Sequence, residues 1–127
     1  MASVGSGLNR FREAEDARKR ALFQVEAGRR VVRQGGLEAA RRLFHQAVET
    51  DPTCTAAWLQ LAWTTQDLRE RKALLRRVLA LEPGNAQAAA ELARLRRLRE
   101  AEATRQPSRG WWLRPWTWGL LISGALL

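Results

Sequence analysis

The sequence has few of the residues from which chemical sites are built. Its 127 residues include one cysteine, Cys54, one histidine, His45, and no tyrosine. A lone cysteine excludes an intrachain disulfide, and one cysteine with one histidine excludes a zinc site with several Cys or His ligands. We also find no nucleophile beside a base, no paired carboxylates in a cleft pattern and no phosphate-cradling glycine loop. We therefore expect no cofactor and no enzymatic activity.

Prolines are scarce too, and two of the four, Pro52 and Pro83, divide the central part of the chain. Between the breaks, apolar residues return every three or four positions, which is typical of helices with one apolar face. Gly35-Gly36 and Gly84 mark turns, and Asp67 has the position of an N-cap. This pattern predicts five helices, at about 8–34, 37–50, 55–65, 68–81 and 86–103.

Positive charge is abundant: the formal net charge is +9, but 20 of the 22 basic residues are arginine. In a chain also rich in alanine, this bias is typical of GC-rich coding, so we discount it as evidence for a ligand. The cluster Arg94, Arg96, Arg97 and Arg99 is more typical of a solvated helix face than of a phosphate site. A basic module that binds nucleic acid or ribosomes is the alternative function, and it rests on charge alone.

The central stretch repeats itself. A shift of 31 residues, the distance from Pro52 to Pro83, superimposes Phe44 on Leu75 and Val48 on Leu79. A repeat of this length predicts a stack of similar helical units rather than one irregular core.

These residues resemble the tetratricopeptide repeat (TPR) family, including small bacterial members with a C-terminal membrane segment. The first unit, about 21–54, matches at Ala27, Gly28, Val31, Gly35, Ala40, Phe44, Ala47 and Pro52. The second, about 55–85, matches at Trp58, Leu61, Ala62, Leu75, Leu79 and Pro83. It departs from the pattern by being three residues short, by having Arg71 at a small-residue position and by lacking an aromatic at Leu75. The resemblance implies an all-α fold in which antiparallel helical hairpins stack as a short solenoid, with 86–103 as a capping helix.

The resemblance also implies where a partner would bind. In this family the first helix of each pair lines a concave groove that binds protein or peptide partners. The corresponding candidate residues here are Arg29, Arg33, Gln60, Trp63, Gln66, Arg94 and Arg97. Family grooves that clamp a terminal carboxylate use basic and Asn residues, whereas this chain has Val25, Arg29, Gln60, Gln87 and Glu91 at those positions. We therefore expect a protein-interaction scaffold without that clamp.

The two ends differ from the centre in composition. Residues 1–7 are small and polar and predict a disordered tip, and no signal peptide is apparent, so a cytoplasmic location is expected. Residues 8–103 form the predicted helical domain and 104–110 a polar linker. Segment 111–127 is apolar and rich in tryptophan, which favours a membrane interface. Its predicted anchor residues are Trp111, Trp112, Trp116, Trp118, Leu120, Leu121 and Ile122.

The apolar end is short for a membrane span. The 13 residues from Pro115 to Leu127 would form a helix of about 20 Å, whereas a bilayer core is about 30 Å thick. We therefore expect an incomplete transmembrane helix; the alternatives are a shallow interfacial anchor and an apolar helix that folds back on the repeats. Arg105, Arg109 and Arg114 precede it and would keep the repeats on the cytoplasmic face. With fewer than three clear repeats, we expect the stack to need support from its long first helix, from a partner or from a homodimer.

Overall fold

Five α-helices make up the part of the chain that the computed structural model describes, residues 2–105, with side chains from residue 5 onward. They are α1 (Ala2–Arg33), α2 (Leu37–Thr50), α3 (Thr55–Thr64), α4 (Leu68–Leu81) and α5 (Ala86–Arg105). α1 packs on α2, α2 on α3 and α3 on α4, and α1 also contacts α3. The prediction of an all-α fold built from helical hairpins is confirmed.

The start of α1 differs from the sequence prediction. The helix begins at Ala2, so residues 2–7, for which we predicted a disordered tip, are helical. Gly5 and Gly7 lower helix propensity, but each keeps its backbone N–H and, unlike proline, interrupts no hydrogen bond. The chain falls into two compact units, residues up to Ala93 and residues from Arg94 onward, and each is described separately below.

The core of the first unit centres on Phe44, whose side chain is fully buried. A Cβ atom on Gly28 would lie 2.9 Å from Cδ1 of this ring, and closer still to Cε1, so only glycine lets α1 approach α2 so closely. Ala40, Ala47 and Ala62 are also completely buried. These small residues of the repeat pattern therefore allow neighbouring helices to pack at short range.

Trp58, which matches the repeat pattern, is half-buried and packs against the core. Its indole N–H donates a 2.8 Å hydrogen bond to the carbonyl of Pro52. The guanidinium of Arg77 lies 5.5 Å from the ring centroid, within the range of a cation–π interaction. Trp58 thus connects the turn after α2 with α4.

The turns follow the local signals in the sequence. Gly35 has a φ of 85°, which favours glycine, and Gly36 N–H donates to the carbonyl of Val31 over 3.0 Å to close α1. The carboxylate of Asp67 accepts a 3.0 Å hydrogen bond from the backbone N–H of Arg69, which confirms the predicted N-cap. The helix bounds after Arg33 accordingly agree with the prediction to within one or two residues.

A carboxylate also stabilises the turn at Pro83. Thr55 Oγ1 donates to Glu82 Oε1 over 2.6 Å, and Asn85 Nδ2 donates to Oε2 over 3.1 Å. The hydrogen bond from Thr55, followed by that from Asn85, holds the pKa of Glu82 below its usual value of 4.5. The start of α3 is thereby connected to the end of α4.

Arg71 connects the end of α3 with α5 in the short second repeat. Its Nε and Nη2 atoms donate to the carbonyl of Thr65 over 3.0 and 2.6 Å, and its Nη1 lies 3.7 Å from Oε1 of the buried Glu91. One side chain therefore satisfies the backbone at the end of α3 and pairs with α5. A small residue, as in the family pattern, would make neither contact.

We predict that Gly28→Ala does not stabilise the protein and costs up to about 2 kcal/mol. Alanine improves helix propensity by about 1 kcal/mol, but overpacking against Phe44 costs about 1–3 kcal/mol. Gly7→Ala is the matched control in the same helix, because a Cβ there meets no atom within 4 Å. Denaturant unfolding followed by circular dichroism measures both, and a stabilising effect of Gly28→Ala would contradict this description of the core.

We also predict that Arg71→Ala lowers the free energy of unfolding by about 1–3 kcal/mol, because the buried end of α3 loses two charge-assisted hydrogen bonds. Arg71→Lys should lie between the parent and Arg71→Ala, since lysine keeps the charge without the two-pronged geometry. Arg76→Ala, on an exposed part of the same helix, should change stability by less than about 0.5 kcal/mol. Equal losses for Arg71→Ala and Arg76→Ala would show that the contact to Thr65 is unimportant.

Candidate functional site

Helix α3 is covered by other helices almost all the way around. It packs against α1, α2 and α4, and it carries no charged residue. Nine of its ten residues, Thr55–Thr64, are buried or half-buried, and the tenth, Trp63, is 45% exposed. The one exposed residue of this central helix is therefore a tryptophan, Trp63.

The surface around Trp63 includes one amide group from the same helix. Gln60 lies three residues before Trp63, hence on the same face of α3, and is half-buried. Gln66 is exposed, but it lies in the turn after α3 because the helix ends at Thr64. Of the two predicted amides, Gln60 thus belongs to the helix face and Gln66 to its end.

Two candidate arginines lie on the neighbouring helix. Arg29 and Arg33 are one helical turn apart on α1, and α1 contacts α3 directly. The Nη1 atom of Arg29 is 2.6 Å from Oε1 of Glu26, and these side chains are 40% and 56% exposed. A pair so exposed contributes little stability, so the guanidinium can exchange this carboxylate for another at low cost.

The remaining two candidate arginines belong to the other compact unit. Arg94 and Arg97 are exposed on the part of α5 that follows Ala93. The first unit therefore contains five of the predicted groove residues, namely Arg29, Arg33, Gln60, Trp63 and Gln66.

The positions at which the family clamps a terminal carboxylate are unsuited to that role. Val25 is 1% exposed and part of the core, and Glu91 is 6% exposed and paired with Arg71. A buried apolar side chain cannot reach a ligand, and a carboxylate at the second position would repel an anion. That this chain lacks such a clamp stays a prediction.

Sequence reasoning missed an arginine of α2 that lies beside the turn after α3. Arg41 extends from α2 toward Glu38 of the same helix and Glu70 of α4, with N–O distances of 3.9 and 4.0 Å. Its Nε atom is buried and has no hydrogen-bond partner within the described part of the chain. The spacing of Glu38 and Arg41 was visible in the sequence, but the approach of Glu70 depends on how α2 and α4 pack. These residues and the turn after α3 line a shallow depression.

The apolar residues that recur along α1 are not all covered by other helices. Leu8, Phe11 and Leu22 are 57%, 78% and 46% exposed, whereas Ala21 and Val25 are buried. The periodicity correctly predicted one apolar face along the helix. It carried no information on how far along that face other helices would extend.

Two further predictions concern metals and membranes. Within residues 2–105, no group of three or more His, Cys, Asp or Glu side chains is arranged to hold a metal ion. No helix in this range combines the length and apolar character that crossing a bilayer requires. All seven predicted anchor residues lie outside the described part of the chain: Trp111, Trp112, Trp116, Trp118, Leu120, Leu121 and Ile122.

Comparisons with known proteins add a likeness to solved structures. No protein-family model matches the chain, and no curated protein matches it. Among solved structures, it is similar to the first TPR of Spaghetti (RPAP3) bound to the HSP90 peptide SRMEEVD. The match covers 63% of this chain and 93% of that one, with 21% sequence identity and a TM-score of 0.35. At this level the likeness identifies neither a ligand nor a partner for this chain.

Proposed function

We propose that this protein is a non-enzymatic scaffold that binds a segment of another protein at the surface formed by Trp63, Gln60, Arg29 and Arg33. The observation that supports this most is the exposure of Trp63 on a helix whose other nine residues are covered. Tryptophan and arginine are the residues most enriched at the energetic centres of protein interfaces. Covering a water-exposed indole with a partner lowers the free energy of the complex.

The chemistry of this surface favours an acidic segment with one apolar anchor. The apolar anchor would pack on Trp63, and carboxylates would bind Arg29 and Arg33, which can form two parallel hydrogen bonds to each carboxylate. Gln60 can both donate and accept, so it suits the backbone of an extended chain. Because the clamp positions contain Val25 and Glu91, we propose recognition of an internal segment rather than of a terminal carboxylate.

A peptide-display experiment tests this proposal. We predict that the full chain selects acidic peptides with an aromatic or branched apolar residue, and that Trp63→Ala weakens their binding at least about tenfold, as expected at an interface hot spot. Fluorescence anisotropy with the selected peptides measures the change. Because more than half of the surface of Trp63 is covered in the monomer, we also expect the variant to lose about 1–3 kcal/mol of unfolding free energy while remaining folded.

Phe23→Ala serves as the matched control, because Phe23 is also an exposed aromatic, at 69%, but lies on α1 away from Arg29 and Arg33. It should leave the affinity for the selected peptides unchanged. Equal binding by the parent and Trp63→Ala would refute the proposed site. Selection of peptides only through their terminal carboxylates would refute the proposed mode of recognition.

We further propose that segment 111–127 tethers the scaffold to the cytoplasmic face of a membrane. The sequence alone supports this: four tryptophans lie within eight residues, at Trp111, Trp112, Trp116 and Trp118, followed by an uncharged run from Leu120. Indole rings favour the membrane interface. The arginines at 105, 109 and 114 favour an orientation in which the chain before the segment lies on the cytoplasmic side.

Membrane flotation tests the tether. We expect the full chain to float with vesicles and to be recovered in the membrane fraction, and a chain that ends at Arg109 to remain soluble, because the truncated chain lacks every predicted anchor residue. Equal recovery of both chains in the soluble fraction would contradict the tether while leaving the Trp63 surface untested by this result. The two proposals therefore fail separately.

A further inference from the structure

The N-terminal part of α1 has a line of exposed residues along one side of the helix. Five residues follow one another at alternating spacings of three and four, which is the heptad spacing that lines one side of a helix: Leu8, Phe11, Glu15, Arg18 and Leu22. We call this line the α1 stripe. All five side chains are exposed, and four of them line one continuous shallow depression together with Ala14 and Lys19.

Four residues of the α1 stripe, from Phe11 to Leu22, read as their own complement in reverse, and Leu8 takes no part in this symmetry. Apolar side chains lie at the two ends, and an acidic and a basic residue, Glu15 and Arg18, lie in the middle. If a second copy runs antiparallel about a two-fold axis between residues 16 and 17, Phe11 faces Leu22 of the other copy and Glu15 faces Arg18. A two-fold interface requires this kind of self-complementarity, in which residue i contacts j and j contacts i.

We propose that the α1 stripe is a homodimer interface in which two copies of α1 pair antiparallel. A parallel pair would place Glu15 against Glu15 and Arg18 against Arg18, and like charges in such positions oppose association. The antiparallel pair converts both contacts into opposite-charge pairs. It also removes two phenylalanine and two leucine side chains from water.

In the monomer, Glu15 pairs with Lys19 but can still contact Arg18 of a second copy. Its carboxylate is 3.3 Å from the ammonium group of Lys19, and these side chains are 66% and 69% exposed. So exposed a pair is weak, and a carboxylate has acceptor sites for a second cation. The stripe extends over only about 21 Å of helix, so we expect dimerisation to depend on protein concentration.

Charge reversal in the full chain tests the proposal by sedimentation equilibrium at micromolar to submillimolar concentrations. Glu15→Arg or Arg18→Glu alone should weaken the dimer by about tenfold or more, because each creates two like-charge contacts. The double variant Glu15→Arg/Arg18→Glu restores opposite charges and should recover the parent affinity to within about threefold. Failure of the double variant to recover the dimer would overturn the proposal, as would a parent chain that stays monomeric.

A matched pair of aromatic substitutions tests the apolar ends of the stripe. Phe11→Ser should weaken the dimer, whereas Phe23→Ser should not, because Phe23 lies about 120° around the same helix from Phe11. Association through segment 111–127, or through any other surface, would not depend on Phe11 or on the signs of residues 15 and 18. Such insensitivity would overturn the assignment of the α1 stripe.

Disulfide trapping tests the orientation. Chains carrying Glu15→Cys and chains carrying Arg18→Cys, both with Cys54→Ser, are mixed and oxidised. The antiparallel register places the new thiols of unlike chains opposite each other, while a native Arg18–Glu15 contact remains on the other side of the axis. We expect disulfides mainly between unlike chains, and a predominance of disulfides between like chains would overturn the antiparallel arrangement.

Discussion

The close packing of Phe44 against Gly28 sets the distance between α1 and α2, and the rest of the first unit depends on it. Because the ring occupies the space that a Cβ atom would need, α1 lies close enough to contact α3 as well as α2. α3 is thereby enclosed by three helices, and its one exposed residue is Trp63. The same packing that stabilises the fold thus determines which part of the central helix reaches the solvent.

Local signals in the sequence were sufficient for most of the fold. The cap at Asp67, the glycine turn at Gly35 and the breaks at Pro52 and Pro83 each act within a few residues, so the ends of α2, α3 and α4 could be predicted. The beginning of α1 could not, because residues 2–7 contain neither a proline nor a clear cap. A small and polar composition was taken for disorder where the backbone continues as a helix.

Features that depend on packing between distant segments were not predictable. Arg71 looked like a departure from the repeat pattern, yet it donates to Thr65 and pairs with Glu91, which lies twenty residues further along the chain. Exposure along α1 presented the same difficulty, since periodicity defines an apolar face without showing what covers it. Of the candidate groove, the sequence correctly placed Gln60 and Trp63 on one helix and Arg29 and Arg33 on another. Their role in binding stays a prediction.

The two proposed surfaces lie on different parts of α1. Its second half, together with α3, would bind a partner, and its first half would bind another copy of the chain, so that each dimer would present two binding surfaces. Two sites on one particle increase the apparent affinity for a partner that carries two copies of the recognised segment. If the tether is also correct, dimers at a membrane would gather such partners in two dimensions.

The most direct test of the central claim is a nuclear magnetic resonance titration of the tryptophan indole N–H groups with a selected peptide. Trp63 and Trp58 are reporters on the same helix, and the indole of Trp58 is already hydrogen-bonded to Pro52. We predict that the Trp63 indole resonance shifts in proportion to bound peptide while that of Trp58 remains in place. A peptide that binds without moving the Trp63 resonance would contradict the assignment of this surface as the partner site.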